Sequence, residues 1–264
     1  MPPAGRGVAC AGCGAPLAGR YCSACGQDSV PAETAWRSWV EQLQRVLRTL
    51  RALVIEPGRL AEEHLRGARG RFVPPFTLFV NAVAIFFLFS LATGFSLKAL
   101  AQQGPPASGF AAAVEQRAAA AGVPPATFLE RAERRFQAVY TAALLLVSVA
   151  GYTLLYRVVH WRALPGLRDA FTLALNYLAF IFIVSLPLLA LVTALGTQLG
   201  GASQWIAGIG GGVVATLWNA LAGRRLAHDG WPLAVGKALA VVGLGTVIDN
   251  LMFIAAVAVT LRIA

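Results

Sequence analysis

Apolar and polar positions follow two different rhythms along this chain. From residue 72 onward the polar positions thin out, leaving long apolar runs such as FTLFVNAVAIFFLFSLATGF. A helix crossing about 30 Å of hydrocarbon needs roughly 20 mostly apolar residues. Five segments meet that length: residues 75–97, 136–157, 171–196, 203–222 and 233–261. Between the first two, KALAQQGPPASGFAAAVEQRAAAAGVPPATFLERAERR is too polar to span, and its paired prolines break it into short Ala-rich helices. Upstream, WRSWVEQLQRVLRTLRALV keeps a helical period: Trp36, Trp39, Leu43, Val46, Leu47 and Leu50 share one stripe, while Arg37, Arg45, Arg48 and Arg51 take the other face. Pro57-Gly58 ends this helix, and a short second one, RLAEEHL, follows. A basic helix with tryptophans on its apolar side suits the surface of an anionic bilayer. A helix packed on the protein's own cytosolic face would show the same pattern.

Composition agrees with the runs. Of 264 residues, 57% are hydrophobic and 13% charged, with a mean hydropathy of +0.65, whereas soluble domains carry about a quarter charged residues. The fold class expected is an all-α integral membrane protein with about five spans, preceded by a small cytosolic module. Three regions follow: residues 1–30, residues 31–71 with the basic interfacial helices, and a helical membrane domain over 72–264. The first 30 residues lack the apolar core of a secretory signal. Residues ahead of Phe72 are therefore expected in the cytosol, where thiols stay reduced.

All four cysteines fall in CAGCGAPLAGRYCSAC. Two C-x-x-C pairs, Cys10/Cys13 and Cys22/Cys25, separated by the eight residues GAPLAGRY, suit two knuckles closing on one tetrahedral Zn²⁺ through four thiolates. Gly12, Gly14, Gly19 and Gly26 supply turn residues tolerant of positive φ. Two disulfides or idle thiols are the alternative. A Zn²⁺ there is structural: all four ligands come from protein and none of the coordination is left open. The module has few basic or aromatic residues, which argues against nucleic acid as its partner and leaves a folding unit or a docking tag for a cytosolic protein.

The stretch from the cysteines through EPGRLAEEHLRGARGRFVPPFTLFV resembles a bacterial membrane family catalogued as domain of unknown function 3667. The matching positions are Pro57, Gly58, Arg59, Glu63, Leu65, Gly67, Arg69, Arg71 and Pro75, with His64 where a tyrosine is usual and Phe72 as the aromatic after the basic pair. The resemblance implies an N-terminal four-cysteine zinc ribbon followed by several spans. It implies no biochemical activity.

Loop charge sets the expected orientation. Arg66, Arg69 and Arg71 precede the first span, Arg157, Arg162 and Arg168 lie between the second and third, and Arg224 and Arg225 between the fourth and fifth, while GTQLGGASQ is uncharged. An inside N-terminus and an outside C-terminus satisfy this pattern, and the family resemblance implies that the membrane is a bacterial inner membrane. Within the spans Asp249, beside Asn250, is the clear ionisable residue; such a group costs a few kcal/mol at the bilayer centre on insertion scales. Its candidate partners are Asn81, Asn176, Tyr177 and Asn219, and Lys237 is near enough to the inner interface to snorkel. Asp249 reads either as a residue tying helices together or as a proton or cation relay. The run GIGGG from Gly208 to Gly212 allows close helix packing, a homo-oligomer contact or room for a ligand.

No nucleophile elbow, phosphate-binding loop or metalloprotease motif is present in the sequence, and no enzyme is expected. His64, His160 and His228 read as interfacial polar residues. Two functions remain: a scaffold recruiting a cytosolic partner to anionic membrane, and a small ion- or proton-coupled transporter or channel component using Asp249.

Overall fold

The structure is a computed structural model and describes residues 9–10, 13–16, 22–25, 32–67, 70–92, 110–199 and 202–263. Among them the regular elements are helices, with one isolated bridge between Ala9 and Pro16. The chain forms two compact units, Met1–Arg48 and Thr49–Ala264.

Helix α1, Ala32–Ile55, runs across the boundary of the two units. Trp39, Leu43 and Leu47 are exposed on it, Trp39 to 75%. The side chains of Trp36 and Arg37 lie outside the described residues. Within the second unit α1 buries one face, Thr49, Ala52 and Leu53, while Val54 and Ile55 stay exposed: Thr49 Oγ1 accepts a hydrogen bond from Val73 N–H at 3.0 Å, and Leu53 O accepts one from Trp218 Nε1–H at 2.8 Å.

Pro57 and Gly58 then turn the chain into α2, Arg59–Leu65. Gly58 is buried at φ +83°, and a Cβ there would stand 2.9 Å from Ala222 Cα. Only glycine meets both demands, since any other residue pays for the left-handed backbone and also collides with a neighbouring helix. Gly67, at φ +87°, closes α2, but in open space.

Helix α3, Pro75–Ala92, packs against α6, Leu167–Leu199. Helix α4, Phe110–Ala120, ends in a Schellman turn at Gly122, φ +65°, with Val123 N–H reaching Ala118 O and Gly122 N–H reaching Ala119 O. Pro124 and Pro125 start α5, a continuous helix over Pro125–Val159 interrupted by one π turn, Leu144–Ser148. The span expected at 136–157 is thus the second part of a longer helix, because ERAERRFQAVY continues the helical hydrogen bonding while its apolar side packs on the helix Trp231–Ile263. Helices α7, Ala202–Ala227, and α8, Trp231–Ile263, complete the bundle, with α8 packing on both α7 and α5.

Three of these helices are long and apolar enough to cross a membrane: Pro125–Val159, Leu167–Leu188 and Trp231–Ile263; Pro75–Phe89 is a shorter apolar helix. A helix that is apolar all round, as α8 is, needs a buried or lipid environment on every side. Its Leu239, Leu244, Leu251 and Ile254 are nonetheless exposed, which is the surface expected of a helix that faces lipid.

Candidate functional site

Two constellations carry chemistry. The first is the cysteine cluster. Cys10 N–H bonds Ala15 O and Gly14 N–H bonds Cys10 O, both at 2.8 Å, folding the first knuckle around Gly14 at φ +71°; Gly12, Gly19 and Gly26 lie outside the described residues. The four Sγ atoms lie within 4.8 Å of one another, with Cys10 to Cys25 and Cys13 to Cys22 each at 3.5 Å, and no two are joined as a disulfide. A tetrahedron of thiolates about 2.3 Å from a central Zn²⁺ has edges of about 3.8 Å, a length between the 3.5 Å of those two pairs and the 4.8 Å that bounds all the pairs. The N–H groups of Cys25 and Ala24 hold the Cys22 thiol down to about 6, toward the thiolate a metal needs. The cluster can therefore hold a metal ion.

The second is a polar stripe inside the bundle. Ser148, Tyr152, Tyr156 and His160 stand four residues apart and so share one face of the α5 helix and its C-terminal cap. Tyr152 Oη–H donates to Asp249 Oδ2 at 2.8 Å, and Ser148 Oγ–H reaches Oδ1 at 3.2 Å. Ser148 closes the π turn of α5, a distortion that often accompanies functional positions. One turn before Asp249 on α8, Gly245 leaves the space Tyr152 needs: a Cβ there would lie 2.5 Å from the tyrosine oxygen. Gly151 does the same for Ile248, whose Cγ2 a Cβ would meet at 3.1 Å.

The other sequence candidates are placed differently. Asn219 is buried and accepts a hydrogen bond from Tyr156 Oη, while its own amide donates to Ala215 O at 2.9 Å. Tyr177 sits between the two halves of the stripe, its ring 5.4 Å from Tyr152 and 5.9 Å from Tyr156. Asn176 is 1% exposed, and neither polar atom of its amide has a partner among the described residues. Asn81 and Asn250 are exposed, Asn250 bonding back to Thr246 O in its own helix. Lys237 does not snorkel alone: its Nζ grips Asp229 at 2.8 Å.

His160 is buried within the bundle, stacked 6.0 Å from Tyr156, with Nδ1 unpartnered among the described residues. Burial, with the Lys237 ammonium adding to it and Asp229 opposing, pushes its imidazole down to about 4. Sequence reading passed over the stripe because each member looks ordinary for a span; the interval of four was the signal that could have found it.

Asp249 also lines a cavity of about 420 Å³ together with Tyr140, Ser148, Tyr152, Tyr177 and Gly212. The glycine run borders that cavity: an added Cβ at Gly208 or Gly212 would meet no described atom within 4 Å, and one at Gly211 would only touch Leu188 Cδ2 at 3.6 Å.

The motif around α2 is structural in its contacts. Arg59 pairs with Glu56, and Glu62 pairs with Arg66 at 2.6 Å and with Arg225 of α7 at 2.7 Å, which holds the Glu62 carboxyl below its usual range. Thus Glu62 carries the ion pairs next to the motif's Glu63. His64, Gly67 and Pro75 line a second cavity of about 360 Å³ with Arg168, Asp169 and Thr172. Burial lowers the His64 imidazole. Arg71 lies over the Phe72 ring at 5.7 Å, and Arg69 lies outside the described residues.

No curated protein and no solved structure matches the chain. Residues 44–87 match the family described as protein of unknown function (DUF3667), the same family that the Pro57-to-Pro75 motif resembles.

Proposed function

We propose that the protein is a non-enzymatic scaffold of the bacterial cytoplasmic membrane. Five helices cross the bilayer, with the N-terminus in the cytosol and the C-terminus outside. One structural Zn²⁺ closes the four-cysteine module, and α1 lies against anionic headgroups so that the module is held at the inner surface for a cytosolic protein partner. The observation that carries this reading is the exposed apolar stripe of α1, Trp39, Leu43 and Leu47, on a helix that also bears Arg45, Arg48 and Arg51. A helix of this kind gains from burying its stripe at the acyl boundary and from about 1 kcal/mol per basic residue at an anionic surface. The test uses a peptide of residues 32–55 with vesicles of either anionic or neutral lipid. Helix formation and binding on the anionic vesicles alone, fading as salt rises, is expected; equal binding to neutral vesicles refutes the surface role.

A second reading has its own support. Asp249 lines a cavity instead of being sealed in a helix contact, as an ion- or proton-coupled transporter would require. In proteoliposomes, proton or cation flux present in the native chain and lost in Asp249→Asn supports transport. Absence of flux in the native chain leaves the scaffold reading alone.

A further inference from the structure

We propose that the cavity at Asp249 is a binding site for a hydrophobic organic cation, an amine or quaternary ammonium carried on an apolar body. The inference rests on the cavity that motivates the transport reading, and not on transport itself.

The carboxylate comes first. Asp249 sits at mid-span, where an uncompensated charge is costly, yet among the described residues no Lys or Arg is paired with it. Lys237, the basic residue about three turns earlier on the same helix, is bound to Asp229. The partners Asp249 does have, Ser148 and Tyr152, are neutral hydroxyls of α5. A carboxylate offers about four acceptor positions, and these two bonds leave others facing the cavity that Asp249 lines.

The walls narrow the ligand class. Phe86, Tyr140, Tyr152, Tyr177 and Phe182 supply five aromatic rings, whose faces attract cations and whose bodies accept apolar groups. Gly208, Gly211 and Gly212 of α7 also line the cavity, and they present backbone where side chains would fill the space. The volume of about 420 Å³ falls within the usual range for small-molecule sites, roughly 300 to 1,000 Å³. Ca²⁺ and Mg²⁺ are held by several carboxylates, carbonyls and waters, whereas Asp249 is the one carboxylate among the described residues of a lining that is mainly aromatic, aliphatic and glycine. An anion would be repelled by Asp249, and a lipid tail would leave the carboxylate uncompensated. A bare proton needs no cavity of this size. A cation with an apolar body satisfies the charge, the rings and the volume together.

The test uses the full chain in neutral-lipid nanodiscs with radiolabelled benzyltrimethylammonium, and neopentylbenzene as an uncharged competitor of the same shape. Saturable binding of one cation per chain is expected, with neopentylbenzene at least about tenfold weaker as a competitor than unlabelled cation. Asp249→Asn removes the charge and should weaken binding at least about tenfold. Gly212→Leu fills the cavity with Asp249 intact and should weaken it likewise. Non-saturable binding, equal competition by neopentylbenzene, or native affinity in both variants overturns the inference. Should either variant fail to fold, the competition in the native chain decides alone. Proton flux that depends on Asp249 without cation binding would sustain the transport reading and defeat this one; cation binding without flux would do the reverse.

Discussion

Replacing Gly58 by alanine should be among the most damaging single-methyl changes in the membrane unit, and Gly67 provides its internal control. Both glycines sit at nearly the same left-handed backbone, φ +83° and +87°. At Gly67 an added Cβ meets nothing within 4 Å, so Gly67→Ala reports the backbone cost alone, about 1 kcal/mol. At Gly58 the same methyl lands 2.9 Å from Ala222 Cα and 3.2 Å from Ala222 O. Those are backbone atoms, which cannot swing aside, so α2 and α7 must separate and strain the Glu62 to Arg225 pair between them. Overpacking of this kind costs about 1 to 3 kcal/mol beyond the backbone term, giving about 2 to 4 kcal/mol in all. The assay is equilibrium unfolding in mixed micelles followed by tryptophan fluorescence, since Trp218 is buried and bonded to Leu53 O next to this contact. Gly58→Ala that unfolds no more easily than Gly67→Ala would refute the claim that close approach to α7, and not the turn alone, demands glycine here.

The remaining predictions concern titration and metal. Because His160 titrates at about 4 when folded and near 6.5 when unfolded, the unfolded chain binds the extra proton first; stability contributed by the neutral imidazole is complete above pH 6.5 and lost as pH falls toward 4, by at most about 3 kcal/mol. Unfolding measured across pH 4 to 7 should therefore show a slope that His160→Phe flattens, and an unchanged slope would reject burial of the neutral ring. Chain purified under reducing conditions should carry about one zinc by elemental analysis and release it to strong chelators. Cys13→Ser should lower that stoichiometry, and metal-free reduced protein would exclude the zinc assignment.

What the sequence determined by itself is whatever depends on short separations along the chain. The two C-x-x-C pairs declare a metal-competent cluster because each knuckle is local, and Cys10 and Cys25 are only 15 residues apart. The break at Pro57-Gly58 and the short helix after it follow from local backbone chemistry, and the apolar runs announce a helical membrane protein because bilayer thickness sets their length. The tertiary structure decided everything that turns on how helices are rotated against one another. Ser148 and Tyr152 reach Asp249 from 101 and 97 residues away, Glu62 finds Arg225 across 163, and Trp218 finds Leu53 across 165. Along an apolar span the period of 3.6 shows which residues share a face, but every face is greasy enough to meet lipid or protein. Asparagines therefore looked like partners for Asp249 as plausible as the hydroxyls that bind it. Gly245 is the sharpest case: its meaning lies wholly in the tyrosine ring of another helix that occupies the place of its missing side chain.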